Sequence, residues 1–142
     1  MQTHFSTAIV IAAPPDRVWS VMSDVERWPE WTPTVTSIKR LDDGPLAVGK
    51  RASIRQPKLF PATWKVIALD PGRSFTWTTS GPGVLVTAHH GVETLPDGTT
   101  RATLSIAYTG LLAPLVAWLT LGINDRYLGL EAAGLKRRSE AG

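Results

Sequence analysis

Histidine is the side chain in this sequence best suited to acid–base chemistry in an apolar site. The chain has three histidines, and two of them, His89 and His90, are adjacent. Neighbours in a strand point to opposite faces of a sheet, and His4 is distant in the sequence, so the three are poor joint metal ligands. A lone inner histidine is either a general acid–base or a hydrogen-bonded core residue. His90 is therefore the candidate catalytic residue, and burial should lower its pKa.

Other chemistries lack the residues that they need. The sequence has no cysteine, which excludes disulfides, thiol nucleophiles and thiolate metal sites. It also lacks a phosphate-binding loop, a dinucleotide fingerprint and a serine-hydrolase elbow. We therefore predict no metal site and no cofactor. Tyr108, Tyr127 and Gln56 remain as groups that can orient a ligand by hydrogen bonding.

The elements that position these side chains begin with a strand and two short helices. Apolar and polar residues alternate from Phe5 to Ile11, which predicts a strand. Pro14 and Pro15 end it and suit the first turn of a helix, and a second helical turn ends at Pro29. From residue 34 to residue 108, turn signals recur at short, even intervals, which is typical of an antiparallel meander.

A long helix is predicted at the C-terminal end of the chain. After Gly110 the apolar residues change to a helical period, which predicts a helix from about Ala113 to Arg138. Its apolar stripe comprises Leu112, Leu115, Val116, Leu119, Ile123, Tyr127 and Leu130. The glycines within it permit either a bend or a close approach to the sheet. A long amphipathic helix that follows a single sheet must bury its stripe on that sheet.

Strand parity then identifies the inner face of the sheet. One parity is apolar and aromatic and contains no Asp, Glu, Lys or Arg; it includes Ile54, Trp64, Val66, Phe75, Trp77, Val86, Ala88, His90, Leu104, Ile106 and Tyr108. The other parity is charged and rich in threonine, as a solvated face should be. An ion on the inner face needs a buried counter-charge, and the strands supply none. A bound molecule should therefore be neutral or weakly polar, unless these residues fill a dry core instead.

Composition and charge indicate a globular protein that neither binds nucleic acid nor spans a membrane. The net charge is +3, and apart from residues 136–138 the basic residues are scattered, unlike the dense basic stripe of a nucleic-acid binder. The most apolar stretch, residues 111–123, is interrupted by Pro114 and is shorter than the roughly 20 residues that span a bilayer. No signal peptide is recognisable at the start. We expect a single domain over residues 1–142. We also expect the protein to be cytoplasmic and to be a monomer or a weak homodimer.

Several motifs in this order resemble the START-like, or polyketide cyclase/dehydrase, superfamily. They are Ile9-x-Ile11-Ala12-Ala13-Pro14-Pro15-Asp16-Arg17-Val18-Trp19, Asp24-Val25-Glu26-Arg27-Trp28-Pro29-Glu30-Trp31-Thr32-Pro33, Val48-Gly49-Lys50-Arg51, Trp64-Lys65-Val66 with Asp70-Pro71-Gly72, and Asp97-Gly98-Thr99-Thr100-Arg101. The resemblance covers essentially the whole chain. It implies an α+β helix-grip fold, in which a curved seven-stranded antiparallel sheet wraps around a long C-terminal helix, with two short helices after the first strand. It also implies a cavity between sheet and helix.

The expected ligand contacts combine the inner strand face with the helix stripe. They are Trp31, Ile54, Trp64, Trp77, His90, Tyr108, Leu115, Leu119, Ile123 and Tyr127. Trp31 is expected at the cavity mouth, whereas Trp28 should anchor the short helices. Trp64 and Trp77 either stack with a ligand ring or pack together. In the loop that follows Gln56, Leu59 and Phe60 form either an apolar lip of the cavity or a tucked-in core contact.

Three functions follow from these expectations. Relatives in the superfamily bind lipids, sterols, polyketides or plant hormones, some close aromatic rings, and some act on protein partners, so the fold alone cannot choose. An enzyme needs acid–base groups that converge on one point, and the predicted wall offers only His90, Tyr108 and Tyr127, with no carboxylate. That shortage favours a binding or carrier protein for a small hydrophobic molecule. The alternatives are a polyketide cyclase or dehydratase that uses His90 and the tyrosines, and a protein-interaction module.

Overall fold

The computed structural model describes residues 2–141, which form one seven-stranded antiparallel sheet and several helices. The strands are β1 (His4–Ile11), β2 (Ser37–Arg40), β3 (Arg51–Arg55), β4 (Ala62–Asp70), β5 (Ser74–Gly81), β6 (Val84–Thr94) and β7 (Thr100–Thr109). Their order across the sheet is β1-β7-β6-β5-β4-β3-β2. Strands β2 to β7 are therefore a meander, and β1 pairs with the last of them. This topology confirms the predicted helix-grip fold.

The strand register places the aromatic residues on the concave face, as the parity predicts. Val66 pairs with Trp77, and Trp77 pairs with Ala88, so one parity continues across β4, β5 and β6. The opposite face is polar: the His89 ring lies 2.8 Å from the Thr76 hydroxyl. A bulge follows Val66 in β4 and shifts the register there, so that Leu69 pairs with Phe75.

Two short helices after β1 close one end of the sheet. Helix α1 spans Pro15–Ser23 and begins with a proline, whose missing N–H costs nothing in the first turn. A 3₁₀-helix follows at Val25–Glu30. The indole N–H of Trp28 donates to the Met22 carbonyl at 3.0 Å, which ties the two helices together. Trp28 thus has the anchoring role that was predicted for it.

The C-terminal helix is divided in two, whereas the sequence predicts one continuous helix from about Ala113 to Arg138. Helix α2 spans Ala113–Leu119 and helix α3 spans Leu121–Glu140. The break falls at Thr120, whose hydroxyl donates to the Val116 carbonyl at 2.8 Å. Such back-bonding bends helices. None of the helices formed by residues 2–141 combines the length and apolar character that crossing a bilayer requires.

One glycine sets how closely α3 approaches the short helices. A Cβ atom placed on Gly134 would lie 2.0 Å from the Trp31 carbonyl oxygen, a distance that no real side chain tolerates. The Arg137 guanidinium also donates to that carbonyl, at 3.3 Å. The absence of a side chain at Gly134 therefore permits backbone-to-backbone contact between α3 and the segment after the 3₁₀-helix.

Two glycine-to-alanine variants of α3 should separate close packing from helix propensity. Gly134→Ala should destabilise the protein by more than about 2 kcal/mol, because the new methyl group forces α3 away from Trp31. Gly129→Ala is the matched control, since Gly129 is exposed and a Cβ atom added to it would meet nothing within 4 Å. It should stabilise the helix by about 0.5–1 kcal/mol. Urea denaturation checks both, and equal stability of the two variants would contradict the contact.

Candidate functional site

A cavity of about 360 Å³ lies between the concave face of the sheet and the C-terminal helices. Its walls come from β3 to β7 on one side and from α2 and α3 on the other. The exposed lining residues Phe60, Pro61, Ser80 and Gly81 mark where it meets solvent. Most of the lining is apolar, which is the usual composition of a small-molecule site. Phe60, 93% exposed, belongs to the predicted apolar lip.

Seven of the ten predicted contact residues border this cavity. They are Ile54, Trp64, Trp77, His90, Tyr108, Ile123 and Tyr127. The Trp64 and Trp77 rings also contact each other, with centroids 5.9 Å apart. Core and cavity are therefore both present on the inner face, because these rings pack together and still border open space. Trp28, predicted only as an anchor, lines the cavity as well.

Trp31 does not lie at the cavity mouth, so this prediction was wrong. Its side chain is 8% exposed and packs against Trp28, with ring centroids 5.9 Å apart. Its backbone carbonyl lies against Gly134. Trp31 is therefore fixed beneath α3, and the rim is formed by the Phe60 loop instead.

Leu115 and Leu119 also lie outside the cavity, contrary to the prediction. They are 50% and 64% exposed. Helix α2 turns its small residues, Ala113 and Ala117, towards the sheet, and both are buried. Almost every position of α2 is apolar, so periodicity could not identify the buried face, and the break at Thr120 changes the phase of the stripe before Ile123.

Burial keeps the His90 ring neutral. The ring stacks on Phe75 with centroids 4.3 Å apart and also contacts Trp28 and Trp77. Burial lowers the pKa of His90 to about 3, and the Phe75 backbone opposes this only in part. The Nδ1 atom is shielded from solvent and has no hydrogen-bond partner among the described residues. His90 is therefore a neutral ring at the cavity wall, with its Nδ1 atom enclosed by the protein.

Both tyrosine hydroxyls that border the cavity are already engaged by the protein. Tyr108 donates to the Asn124 side-chain oxygen at 2.7 Å, and Thr120 lies 3.2 Å from the same hydroxyl. Tyr127 donates to the Pro57 carbonyl. These hydroxyls support the helices, and a ligand has to compete for them.

A carboxyl group that sequence reasoning missed also borders the cavity. Glu131 of α3 accepts a hydrogen bond from the Thr34 hydroxyl at 3.0 Å. Burial raises the pKa of Glu131 to about 7, although the Thr34 hydrogen bond lowers it in part. The signal lies in the helical spacing: Glu131 is in phase with Leu128 and Leu135 on the buried face of α3. Strand parity assigns only strand residues to the inner face, so it could not identify this helix residue as part of the cavity wall.

His90 and Glu131 belong to the same end of the cavity. Together with Leu104 and Leu135 they also border a smaller void of about 10 Å³. A third polar atom, the indole nitrogen of Trp64, is buried and has no described hydrogen-bond partner. No group of three His, Cys, Asp or Glu within residues 2–141 is placed to hold a metal ion. The site is thus an apolar cavity with a few unpartnered polar atoms.

Comparison with known families agrees with this architecture. The family described as polyketide cyclase/dehydrase and lipid transport matches residues 2–140. The chain belongs to this family. No curated protein matches the chain significantly.

Solved structures of low identity share the fold. A hypothetical protein from Helicobacter pylori has a TM-score of 0.78 and 17% identity over 96% of this chain and 87% of its own. The Zhui aromatase/cyclase from a Streptomyces species has a TM-score of 0.77 and 21% identity over 96% and 93%. A START superfamily protein from Mycobacterium smegmatis has a TM-score of 0.75 and 16% identity over 99% of each chain. At these identities the likeness establishes the fold and nothing more.

The raised pKa of Glu131 should make stability fall as pH rises. The folded carboxyl, with a pKa of about 7, holds its proton more tightly than an ordinary carboxyl with a pKa of 4.5, so this contribution is lost as pH rises from about 4.5 to about 7. Glu131→Gln cannot ionise. Relative to this variant, the wild type should lose on the order of 1–3 kcal/mol between pH 5 and pH 8.

Urea denaturation of both proteins at the two pH values measures that difference. Asp125→Asn is the matched control, because Asp125 is an exposed acid on the same helix and does not line the cavity. It should show the pH dependence of the wild type. If Glu131→Gln shows it too, the Glu131 carboxyl titrates normally and the assignment is wrong.

Proposed function

We propose that the protein binds a small, predominantly apolar molecule in the cavity between the sheet and the C-terminal helices. The observation that carries this proposal is the cavity itself, about 360 Å³ and walled by aromatic and aliphatic side chains. Such a volume suits a molecule of a few fused rings or a short lipid chain. Membership of a family whose description includes lipid transport supports the same function.

Two polar atoms beside the cavity have no hydrogen-bond partner among the described residues. They are the Trp64 indole nitrogen and His90 Nδ1, and neither has appreciable accessible surface. The indole N–H is a donor only, whereas His90 Nδ1 donates or accepts according to the tautomer. We expect a ligand to pack against the faces of these rings and to reach the two nitrogens only if neighbouring side chains move.

Filling the cavity should weaken binding, whereas a tryptophan on the outer face of α2 should not. Ile123 lines the cavity, and Ile123→Trp should weaken binding of naphthylmethanol, a neutral ring compound, by about tenfold or more. Leu119→Trp is the matched control, because Leu119 is 64% exposed. Isothermal titration calorimetry measures both affinities. Equal affinities for the two variants would place the ligand elsewhere.

An enzyme of the cyclase or dehydratase type is the second candidate, and Glu131 is the observation that favours it. A group with a pKa of about 7 both releases and takes up a proton near neutral pH. In the loss of water from a β-hydroxy ketone, such a carboxylate takes the proton beside the carbonyl and returns it to the departing hydroxyl. The pKa of His90, about 3, makes that ring a weak base. Proton transfer therefore falls to Glu131, and His90 is left to hydrogen-bond the substrate.

Two conservative variants separate binding from catalysis. If the protein only binds, His90→Gln should cost on the order of 1 kcal/mol of affinity, because the amide keeps some hydrogen bonding. If it is an enzyme, Glu131→Gln should cut turnover of a β-hydroxy ketone by about 100-fold or more while the ketone still binds. Calorimetry gives the affinities, and absorbance of the conjugated product gives turnover. A wild type that binds such ketones without converting them excludes the dehydratase.

A further inference from the structure

The cavity contains one acid for which the described chain provides no cation. None of the ion pairs among residues 2–141 includes Glu131, and its only hydrogen bond comes from Thr34. Among the described residues, no Lys or Arg lines the cavity; Arg40 of β2, which shares a sheet face with Ile54, is not among the lining residues. A carboxylate in apolar surroundings is costly unless an opposite charge accompanies it. The charge that this cavity accommodates is therefore positive, and it has to come from the ligand.

The hydrogen bonds behind Glu131 orient it as an acceptor. The Thr34 backbone N–H donates to the Thr32 hydroxyl at 3.3 Å, and the two threonine hydroxyls lie 3.0 Å apart. Because the single proton of the Thr34 hydroxyl goes to Glu131 Oε1 at 3.0 Å, the Thr32 hydroxyl is the donor to Thr34. Both threonines are 1% exposed, so water does not compete for this chain of donors. The other carboxyl oxygen, Oε2, has no hydrogen bond from the described residues.

The walls that face Glu131 suit an organic cation. Trp28 borders both the main cavity and the small void beside Glu131, and Trp64 and Trp77 continue the aromatic wall. An ammonium or iminium group over an indole face is attracted by the ring quadrupole, more strongly where water is excluded. The cavity thus combines an apolar aromatic surface with one accessible anionic oxygen.

We propose that the preferred ligands of this cavity are hydrophobic amines, with an aromatic or alicyclic body and one protonated nitrogen that donates to Glu131. This inference rests on the proposed binding function and narrows its ligand class. An ammonium supplies both a hydrogen bond and the missing counter-charge, whereas an alcohol supplies the hydrogen bond alone. An anionic ligand of the same shape is repelled.

The other titratable groups that border the cavity are neutral or hydrogen-bonded within the protein, so Glu131 determines the charge of the cavity. His90 of β6 faces it but stays neutral, with a pKa of about 3. Tyr108 of β7 and Tyr127 of α3 have their hydroxyls engaged by Asn124 and Pro57. The His89 ring bonds Thr76 instead. Below pH 7 an amine has to displace the proton of Glu131, so its affinity falls with decreasing pH.

Three naphthalene derivatives of one shape test the inference: naphthylmethylamine, naphthylmethanol and naphthylacetate. Calorimetric titrations at pH 8 and pH 5.5 compare the full-length wild type, Glu131→Gln and Asp125→Asn. At pH 8 the wild type and Asp125→Asn should bind the amine about tenfold more tightly than the alcohol, and the anion least well. From pH 8 to pH 5.5 the amine affinity should fall by about 30-fold, given a Glu131 pKa of about 7.

Glu131→Gln should lose both the preference for the amine and its pH dependence. Its affinity for the alcohol should fall less than its affinity for the amine, because glutamine still accepts a hydrogen bond, and urea denaturation serves as the folding control. If the wild type binds the alcohol as tightly as the amine, or Glu131→Gln retains the preference, the inference is overturned and the binding function stands. If none of the three compounds binds the wild type, both fail.

Discussion

The contact between Gly134 and the Trp31 carbonyl holds α3 against the segment that follows the 3₁₀-helix, as closely as backbones allow. Side chains of α3 also tie this end to β1 and to the residue after it: Glu140 accepts from the Ala12 N–H at 2.8 Å, and Lys136 donates to the Val10 carbonyl at 3.2 Å. Nearer its N-terminal end, α3 is joined to β7 by the hydrogen bond from Tyr108 to Asn124, and to the loop after β3 by the bond from Tyr127 to Pro57. The cavity lies beside these two tyrosine contacts.

Burial explains the unusual titration of His90 and Glu131, which both border the cavity and the small void beside it. His90 is enclosed by Phe75, Trp28 and Trp77, so the imidazolium form would lose its hydration without gaining a partner. The same desolvation acts on Glu131 in the opposite direction, because there the charged form is the deprotonated one. Both groups are therefore driven towards their neutral forms by one cause. Only Glu131, which has the Thr34 hydroxyl as a donor, keeps its pKa within the physiological range.

Much of the fold was accessible from the sequence, and seven of the ten predicted contact residues border the cavity, for identifiable physical reasons. Strand alternation places Trp64, Trp77 and His90 on one face because the pleat has a period of two residues, and register carries that parity from strand to strand. Helix periodicity wrongly placed Leu115 and Leu119 in the cavity, because a helix that is apolar on all sides does not show which side is buried. Which side is buried depends on the small side chains of Ala113 and Ala117, a packing effect that no single-residue scale contains.

The charge of the cavity comes from the helix and not from the sheet. The strand residues that line the cavity include no Asp, Glu, Lys or Arg, and they predict a neutral ligand. Glu131 changes that prediction because α3 closes the cavity over the same wall. A single carboxylate creates a strong electrostatic field in an apolar space. The three tryptophans and the carboxylate then act on the same property of a ligand, since both indole faces and carboxylate oxygens attract cations. Selectivity for charge therefore arises where the two layers of the fold meet, and neither layer contains it alone.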